Sequence, residues 1–210
     1  MASTTITAVA PDSTNAPQAK TAKGVLVRTR SSQSGIWVGI FAITMSFAAL
    51  TSALIVREGT SDWAHLALPP VLYLNTLLLL ASSGTFELSR LRLEANSGDS
   101  ERGRRSGMLW LAATLGLGVA FCAGQYLAWE NLRAQGVYLA TNPNSSFFYV
   151  LTFLHVVHVT GGIAALLYLM GKLGWGRKQA RRSTFDNTAI YWHFMGALWV
   201  YLLLLCVIKL

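Results

Sequence analysis

Charge is scarce in this chain. Asp and Glu number 9 and Lys and Arg 17 in 210 residues, so charged groups make up 12% of a sequence that is 53% hydrophobic, with a mean hydropathy of +0.43. Soluble domains carry roughly 25% charged residues, and a water-soluble globular domain is excluded. Cysteine is limited to Cys122 and Cys206, both inside apolar segments. That leaves no disulfide framework and no thiolate cluster, and both read as buried free thiols. Also missing are paired catalytic carboxylates, a nucleophile with an adjacent base and a Gly-rich phosphate loop. Before residue 30 no apolar h-region occurs, so no cleavable signal is expected.

What the sequence does contain is long stretches without a single Lys, Arg, Asp or Glu: Gly35–Val56, Leu66–Phe86, Ser106–Trp129, Ala134–Gly171 and Asn187–Ile208. Each exceeds the ~20 residues that an α-helix needs to cross ~30 Å of hydrocarbon. An all-α integral membrane protein is predicted, a bundle of five transmembrane helices over about 35–56, 66–89, 106–130, 145–172 and 187–208. Residues 1–33, rich in Ser, Thr, Ala and Pro, are expected to form a disordered cytoplasmic tail, with 34–210 as the membrane domain.

The basic residues alternate between sides. Lys20, Lys23, Arg28 and Arg30 precede the first span; Arg90, Arg92, Arg102, Arg104 and Arg105 flank the second connection; Lys172, Arg177, Lys178, Arg181 and Arg182 flank the fourth. Only Arg57, Arg133 and Lys209 fall on the opposite side. This is a positive-inside pattern, placing the N-terminus in the cytoplasm and the C-terminus outside. It explains the net charge of +8 without nucleic acid as a partner.

Local signals fill in the organisation. Pro69 and Pro70 suit the first turn of the second helix, and EANSGDSERGRRSG reads as a turn-rich, solvated connection. In the third span Ala112, Gly116, Ala120 and Gly124 recur every four residues, a smooth stripe along which a helix of the bundle or of a docked partner could approach. Asn75, Thr76, Ser82, Ser83 and Thr85 can bond across helices or back to their own carbonyls.

The titratable interior residues need explanation. His155 and His158 stand at i and i+3 on one helix face. Counting 1.5 Å per residue from the inner boundary puts His158 roughly 21 Å deep, His155 roughly 25 Å and His193 only about 10 Å. A haem clamped between helices needs ligands at one depth, and a metal on the i, i+3 pair needs carboxylates or thiols beside it, whereas Glu87 lies near the inner end of the second span. Satisfied, helix-linking histidines or lipid contacts are therefore expected, with no metal site. Glu87 has Arg90 at i+3 as a ready ion-pair partner, and His193 as another if the second and fifth spans adjoin.

At this point the residues resemble a family. The ordered blocks LPPVLYLNTLLLLASSGTF, GVAFCAGQYLAWENLRAQG, SSFFYVLTFLHVVHVTGG and YWHFMGALWVYLLL are similar to subunit III of the haem–copper terminal oxidases, in its short five-helix form. The most specific residues are Asn75-Thr76 with Ser82-Ser83, Phe121 with Gln125, Phe147-Phe148 through His155 and His158, and Tyr191-Trp192-His193-Phe194. Four positions depart from the family pattern: Ile43 stands where a first-span carboxylate is usual, Phe153 and Val156 flank the first histidine in place of glycines, and Gly196 replaces an Asp after YWHF.

The resemblance implies a non-catalytic subunit of a cytochrome c oxidase in a bacterial cytoplasmic (inner) membrane. It would pack on a proton-pumping subunit I and hold structural phospholipid in a cleft between helix groups, with haem and copper in partner subunits and none in this chain. His155, His158 and His193 would link helices or line the lipid cleft, and Gln125 and Trp129 would lie near the outer end of the third span. The same motifs fit a subunit of a quinol oxidase or of a nitric-oxide-reductase-associated complex. A small haem-binding membrane cytochrome is the alternative of a different class.

Overall fold

A computed structural model describes residues 16–59, 69–95, 101–139, 143–174 and 182–209. These residues form α1 (Ala16–Glu58), α2 (Val71–Ala95), α3 (Glu101–Ala134), α4 (Pro143–Gly174) and α5 (Arg182–Lys209). The all-helical expectation holds, and each helix contains a stretch long and apolar enough to cross a membrane: Ser34–Glu58, Val71–Leu93, Arg102–Ala134, Pro143–Leu173 and Thr184–Lys209. Helices are the form such sequences take because hydrocarbon offers the backbone no hydrogen-bond partners, and the i→i−4 ladder satisfies every peptide group within the segment.

The helices overrun the apolar windows. Helical backbone begins at Ala16, within the segment 1–33 read as a disordered tail, while residues 1–15 lie outside the described residues. Ala, Gln and Lys between 16 and 23 are strong helix formers, and extending an existing helix avoids the cost of nucleation. The connection read as solvated loop is also partly helical, since α2 runs to Ala95 and α3 starts at Glu101; residues 96–100 lie outside the described residues. A charged flank ends the apolar window without ending the backbone ladder. The second helix begins later than the window suggests. Pro69 and Pro70 stand just ahead of it, and their carbonyls accept from Leu72 N and Tyr73 N at 3.1 Å each. Helix α3 ends where Gly136 adopts φ 76°, and Val137 N reaches back to Leu132 O at 3.0 Å; glycine takes this left-handed conformation without a Cβ penalty.

Buried positions follow one period. On α2 they are Leu72, Asn75, Leu79, Ser82, Phe86 and Ser89; on α3, Leu111, Thr114, Gly118, Phe121, Gln125, Ala128 and Leu132. Alternating steps of three and four keep each seam facing its neighbour, as in helices packed at a small crossing angle. Consecutive helices α2 and α3 make the most extensive pair. Round the bundle the neighbours run α1, α4, α3, α2, α5 and back to α1, with α4 also touching α5. Outward faces stay apolar, with Leu77 and Leu80 on α2 and Leu109 and Val119 on α3 exposed, as a surface bathed in lipid requires.

Two clusters fill the interior. One, nearer the C-terminal end of α5, gathers Phe47, Leu79, Phe121, Phe148 and Trp199; the other, at the opposite end, gathers Phe86, Leu111, Leu166, Phe185 and Trp192. Between lipid-solvated helices the attraction comes from close packing rather than from exclusion of water, so small residues decide how near backbones come. Gly118 illustrates this: a Cβ there would stand 2.8 Å from Trp192 Cη2, and Trp192 is itself 1% exposed and has nowhere to move. Gly118→Val should therefore lower stability by about 1–3 kcal/mol through overpacking, read as a fall in the unfolding midpoint of the detergent-solubilised protein. Gly84→Ala, where nothing lies within 4 Å of the added carbon, should leave that midpoint unchanged or raise it; equal losses in both would contradict the packing assignment.

Candidate functional site

The polar residues inside the bundle join one helix to the next. Between α2 and α5, Trp192 Nε1 donates to Ser82 Oγ at 3.1 Å, and Trp199 Nε1 to Thr76 Oγ1 at 3.0 Å. Between α2 and α3, Asn75 Nδ2 donates to Gln125 Oε1 at 3.4 Å, Thr85 and Thr114 share a 2.9 Å bond between hydroxyls, and Ser89 Oγ donates to Gly107 O at 2.9 Å. Trp129 Nε1 donates to Thr152 Oγ1 at 3.1 Å across α3 and α4. Tyr191 Oη of α5 donates to His158 O of α4 at 2.8 Å. Helix α1 is tied to α5 by Tyr201 Oη on Thr51 Oγ1 at 3.0 Å and by the Lys209–Glu58 ion pair at 2.9 Å.

Ser83 also faces α5, where a Cβ on Gly196 would stand 3.3 Å from its Oγ. Most of these donors and acceptors were visible as lone polar residues in apolar windows. Of the aromatic partners, Tyr191 and Trp192 stand out in the sequence only as part of the family motif and Trp199 and Tyr201 not at all, because their donor role depends on the register of α5 against its neighbours. The signal available was the step of seven from Trp192 to Trp199, matched by the step of six from Thr76 to Ser82 on an antiparallel helix.

The three histidines do not converge. His155 is fully buried and packs edge-on to Phe121 at 5.8 Å and tilted against Trp199 at 5.2 Å, but neither ring nitrogen has a hydrogen-bond partner among the described residues, so the expected satisfied, helix-linking histidine is here a ring held by aromatic packing alone. His158, although on the same helix, turns to α1, with its ring 5.9 Å from Phe47, and its Nδ1 donates to Leu154 O at 2.7 Å. His193 lies on the exposed side of α5, edge-on to Phe86 at 6.0 Å. A haem needs axial ligands facing one flat space, and here Phe121 and Trp199 fill the space beside His155. Among the described residues no three His, Cys, Asp or Glu side chains stand close enough to hold a metal ion. These residues fit neither group.

Glu87, left in the sequence between two partners, meets both. Arg90 Nη1 lies 3.9 Å from Glu87 Oε1 and His193 Nε2 3.9 Å from Glu87 Oε2, while Arg90 Nη2 also reaches Asp186 Oδ1 at 3.5 Å. Glu87 and His193 are 44% and 43% exposed, so the cluster sits on the surface of the α2–α5 seam, where an ion pair contributes little.

The stripe in α3 divides. A four-residue step advances about 40° further than whole turns of an α-helix, so the stripe winds round the cylinder. Ala112 and Gly116 face outward, with nothing within 4 Å of an added Cβ on Gly116, Ala120 is half-buried, and Gly124 abuts the Asn75 amide, which occupies the place its side chain would take.

If the α2–α5 bond holds the seam as described, Ser82→Ala should cost about 1–2 kcal/mol by stranding the buried Trp192 N–H. In a double-mutant cycle with Trp192→Phe, the coupling should be about 0.6 kcal/mol, the usual size for such bonds within a bilayer. Additive losses in the unfolding midpoint would show that the two side chains act separately.

The chain is similar to known oxidase subunits. A probable cytochrome c oxidase subunit 3 of Mycobacterium tuberculosis is 29% identical over 178 residues, covering 81% of this chain and 79% of that protein. The cytochrome c oxidase subunit 3 of Synechocystis sp. is 30% identical over 176 residues, with 82% and 69% covered, and the cytochrome bo(3) ubiquinol oxidase subunit 3 of Pseudomonas aeruginosa is 28% identical over 176 residues, with 79% of each covered. The family described as Cytochrome c oxidase subunit III matches residues 32–208. Those residues take in all five apolar stretches but for the final Lys209, and the chain belongs to the cytochrome c oxidase subunit III family.

Proposed function

We propose that this multi-pass terminal oxidase subunit lies in the bacterial cytoplasmic (inner) membrane with its N-terminus in the cytoplasm and its C-terminus outside. It packs there on the catalytic, proton-pumping subunit I. The observation that carries the reading is the use of the interior polar atoms: Trp192–Ser82, Trp199–Thr76, Trp129–Thr152 and Tyr191–His158 all connect helices. Buried polar groups so used brace a scaffold. Partner subunits would hold the haem and copper that supply oxygen reduction, and the contribution of this chain is to hold the complex in shape.

Orientation rests on the order of charges along the chain, in which fourteen of 17 basic residues precede the first apolar window or lie in the second and fourth connections. Lipid binding is supported by an open groove of about 960 Å³ between α1 and α4, floored by Ala49, Ser52 and Ala53 and flanked by Phe147 and Arg57. Small residues below a cation suit an acyl chain below a headgroup. Glu87, Arg90 and His193, exposed at the end of the bundle near the α2–α3 connection, lie where a docked subunit or interfacial water could pair with them. The relatives include both a cytochrome c oxidase and a ubiquinol oxidase subunit, and the electron donor follows from the complex this chain joins.

Affinity purification of a tagged chain in mild detergent should bring down the large oxidase subunits, with a haem optical spectrum that is absent from the isolated chain. Comparing turnover with reduced cytochrome c and with quinol then identifies the donor. Deleting the chain should leave the haem spectrum of the remaining complex intact while shortening its catalytic lifetime or loosening its assembly. Loss of the haem signal from folded complex, or recovery of the tagged chain without oxidase subunits, would overturn the reading.

A further inference from the structure

Three arginines crowd one trough at the start of α3. The trough encloses about 620 Å³ and is lined by Arg102, Arg104 and Arg105 together with Met108, Ala112 and Met170 of α4. The guanidiniums are exposed, and none has an ion-pair partner among the described residues. They stand in the first turns of α3, where the helix dipole adds to their positive potential and an anion would relieve both.

Below them the same face continues without charge. Arg105, Leu109, Ala112 and Gly116 succeed one another at steps of four, three and four, all exposed. Ala112 and Gly116 leave the helix surface low, and Gly116 has nothing within 4 Å of an added Cβ. From Arg105 to Gly116 the helix rises by about 16 Å, close to half of the ~30 Å hydrocarbon thickness. Cations at the boundary over a shallow apolar channel one leaflet deep match a molecule with an anionic head and an aliphatic tail. A soluble phosphate would make no use of the channel. A zwitterionic lipid would gain less from the three cations.

We propose that this trough binds an anionic phospholipid of the leaflet on the α2–α3 connection side. Its phosphodiester is held by Arg102, Arg104 and Arg105, and an acyl chain lies along Ala112 and Gly116 against Met108 and Met170. The inference rests on the lipid-holding reading above and gives it a second location, away from the α1–α4 groove, with a required charge.

The test uses the purified oxidase complex exchanged into a neutral detergent and titrated with phosphatidylglycerol under native mass spectrometry, with phosphatidylcholine and inorganic phosphate as separate arms. Phosphatidylglycerol should bind tightly, phosphatidylcholine weakly, and inorganic phosphate should not displace the bound lipid. Binding should weaken roughly tenfold or more in R102Q/R104Q/R105Q, given the attraction expected per basic residue near a membrane surface. The trough-filling variant A112L/G116L, which keeps every charge, should weaken it similarly. K20Q/K23Q/R28Q, which removes the same charge from the same side, should leave it within twofold of the unaltered complex.

Equal losses in the two triple variants, undiminished binding in A112L/G116L, equal binding of phosphatidylcholine, or displacement by inorganic phosphate would each overturn the proposal. Co-purification of each variant with the oxidase subunits verifies that it is folded. Failure of the unaltered chain to assemble would strike the oxidase reading itself, and is thereby distinguished from failure of this site.

Discussion

A polar atom carried into hydrocarbon is costly unless it finds a partner inside the protein, and that constraint shapes this molecule more than any other. Water is not there to absorb a misplaced hydroxyl or indole N–H, so the register of one helix against the next is set by which donors meet which acceptors. On α5, Trp192 and Trp199 reach Ser82 and Thr76 of α2; on α4, Thr152 receives Trp129 of α3, and the carbonyl of His158 receives Tyr191 of α5. Sliding α5 by one turn would break three of these bonds together.

Close approach makes those bonds possible. The Trp192 ring fits because Gly118 and Gly162 present bare backbone to it, with would-be Cβ atoms at 2.8 and 3.1 Å, and the Asn75 amide fits because Gly124 has no side chain. Large aromatic donors on α5 and missing side chains on α3 and α4 are thus one device seen from two sides. The result is a bundle braced by most of its buried polar side chains, with His155, whose ring nitrogens have no partner among the described residues, held by aromatic packing instead. A membrane scaffold needs that property, and it leaves the exposed chemistry at the ends: the Glu87–Arg90–His193 cluster at the α2–α5 seam and the arginines of α3.

Family membership and geometry support each other at specific places. The blocks that carry the resemblance, around Asn75, Gln125, His155 and Trp192, are the places where helices are joined. The departures also have local reasons. Gly196, where an Asp is usual, lies against Ser83 with only 3.3 Å to an added carbon, and Ile43, in place of a carboxylate, packs against the apolar core.

Much was legible from residue order alone. Five charge-free windows fixed five helices, because crossing hydrocarbon demands length and apolarity that nothing else in the chain explains. Glu87 was recognisable as a paired group because Arg90 is its neighbour on the helix surface. Helix ends were misjudged where charged residues continue the ladder, as at Glu101 and Arg182, since charge marks the edge of the apolar slab and not the end of hydrogen bonding. His155 and His158 share a face by spacing, yet one is buried against Phe121 and Trp199 while the other meets Phe47, and Ala112 and Gly116 turn outward while Gly124 packs inside. Sequence by itself determined that these segments are helices that span, because that depends on each segment's own backbone and solvent. Only the tertiary structure decided which face of each helix is interior, because that depends on the neighbour against which it is pressed.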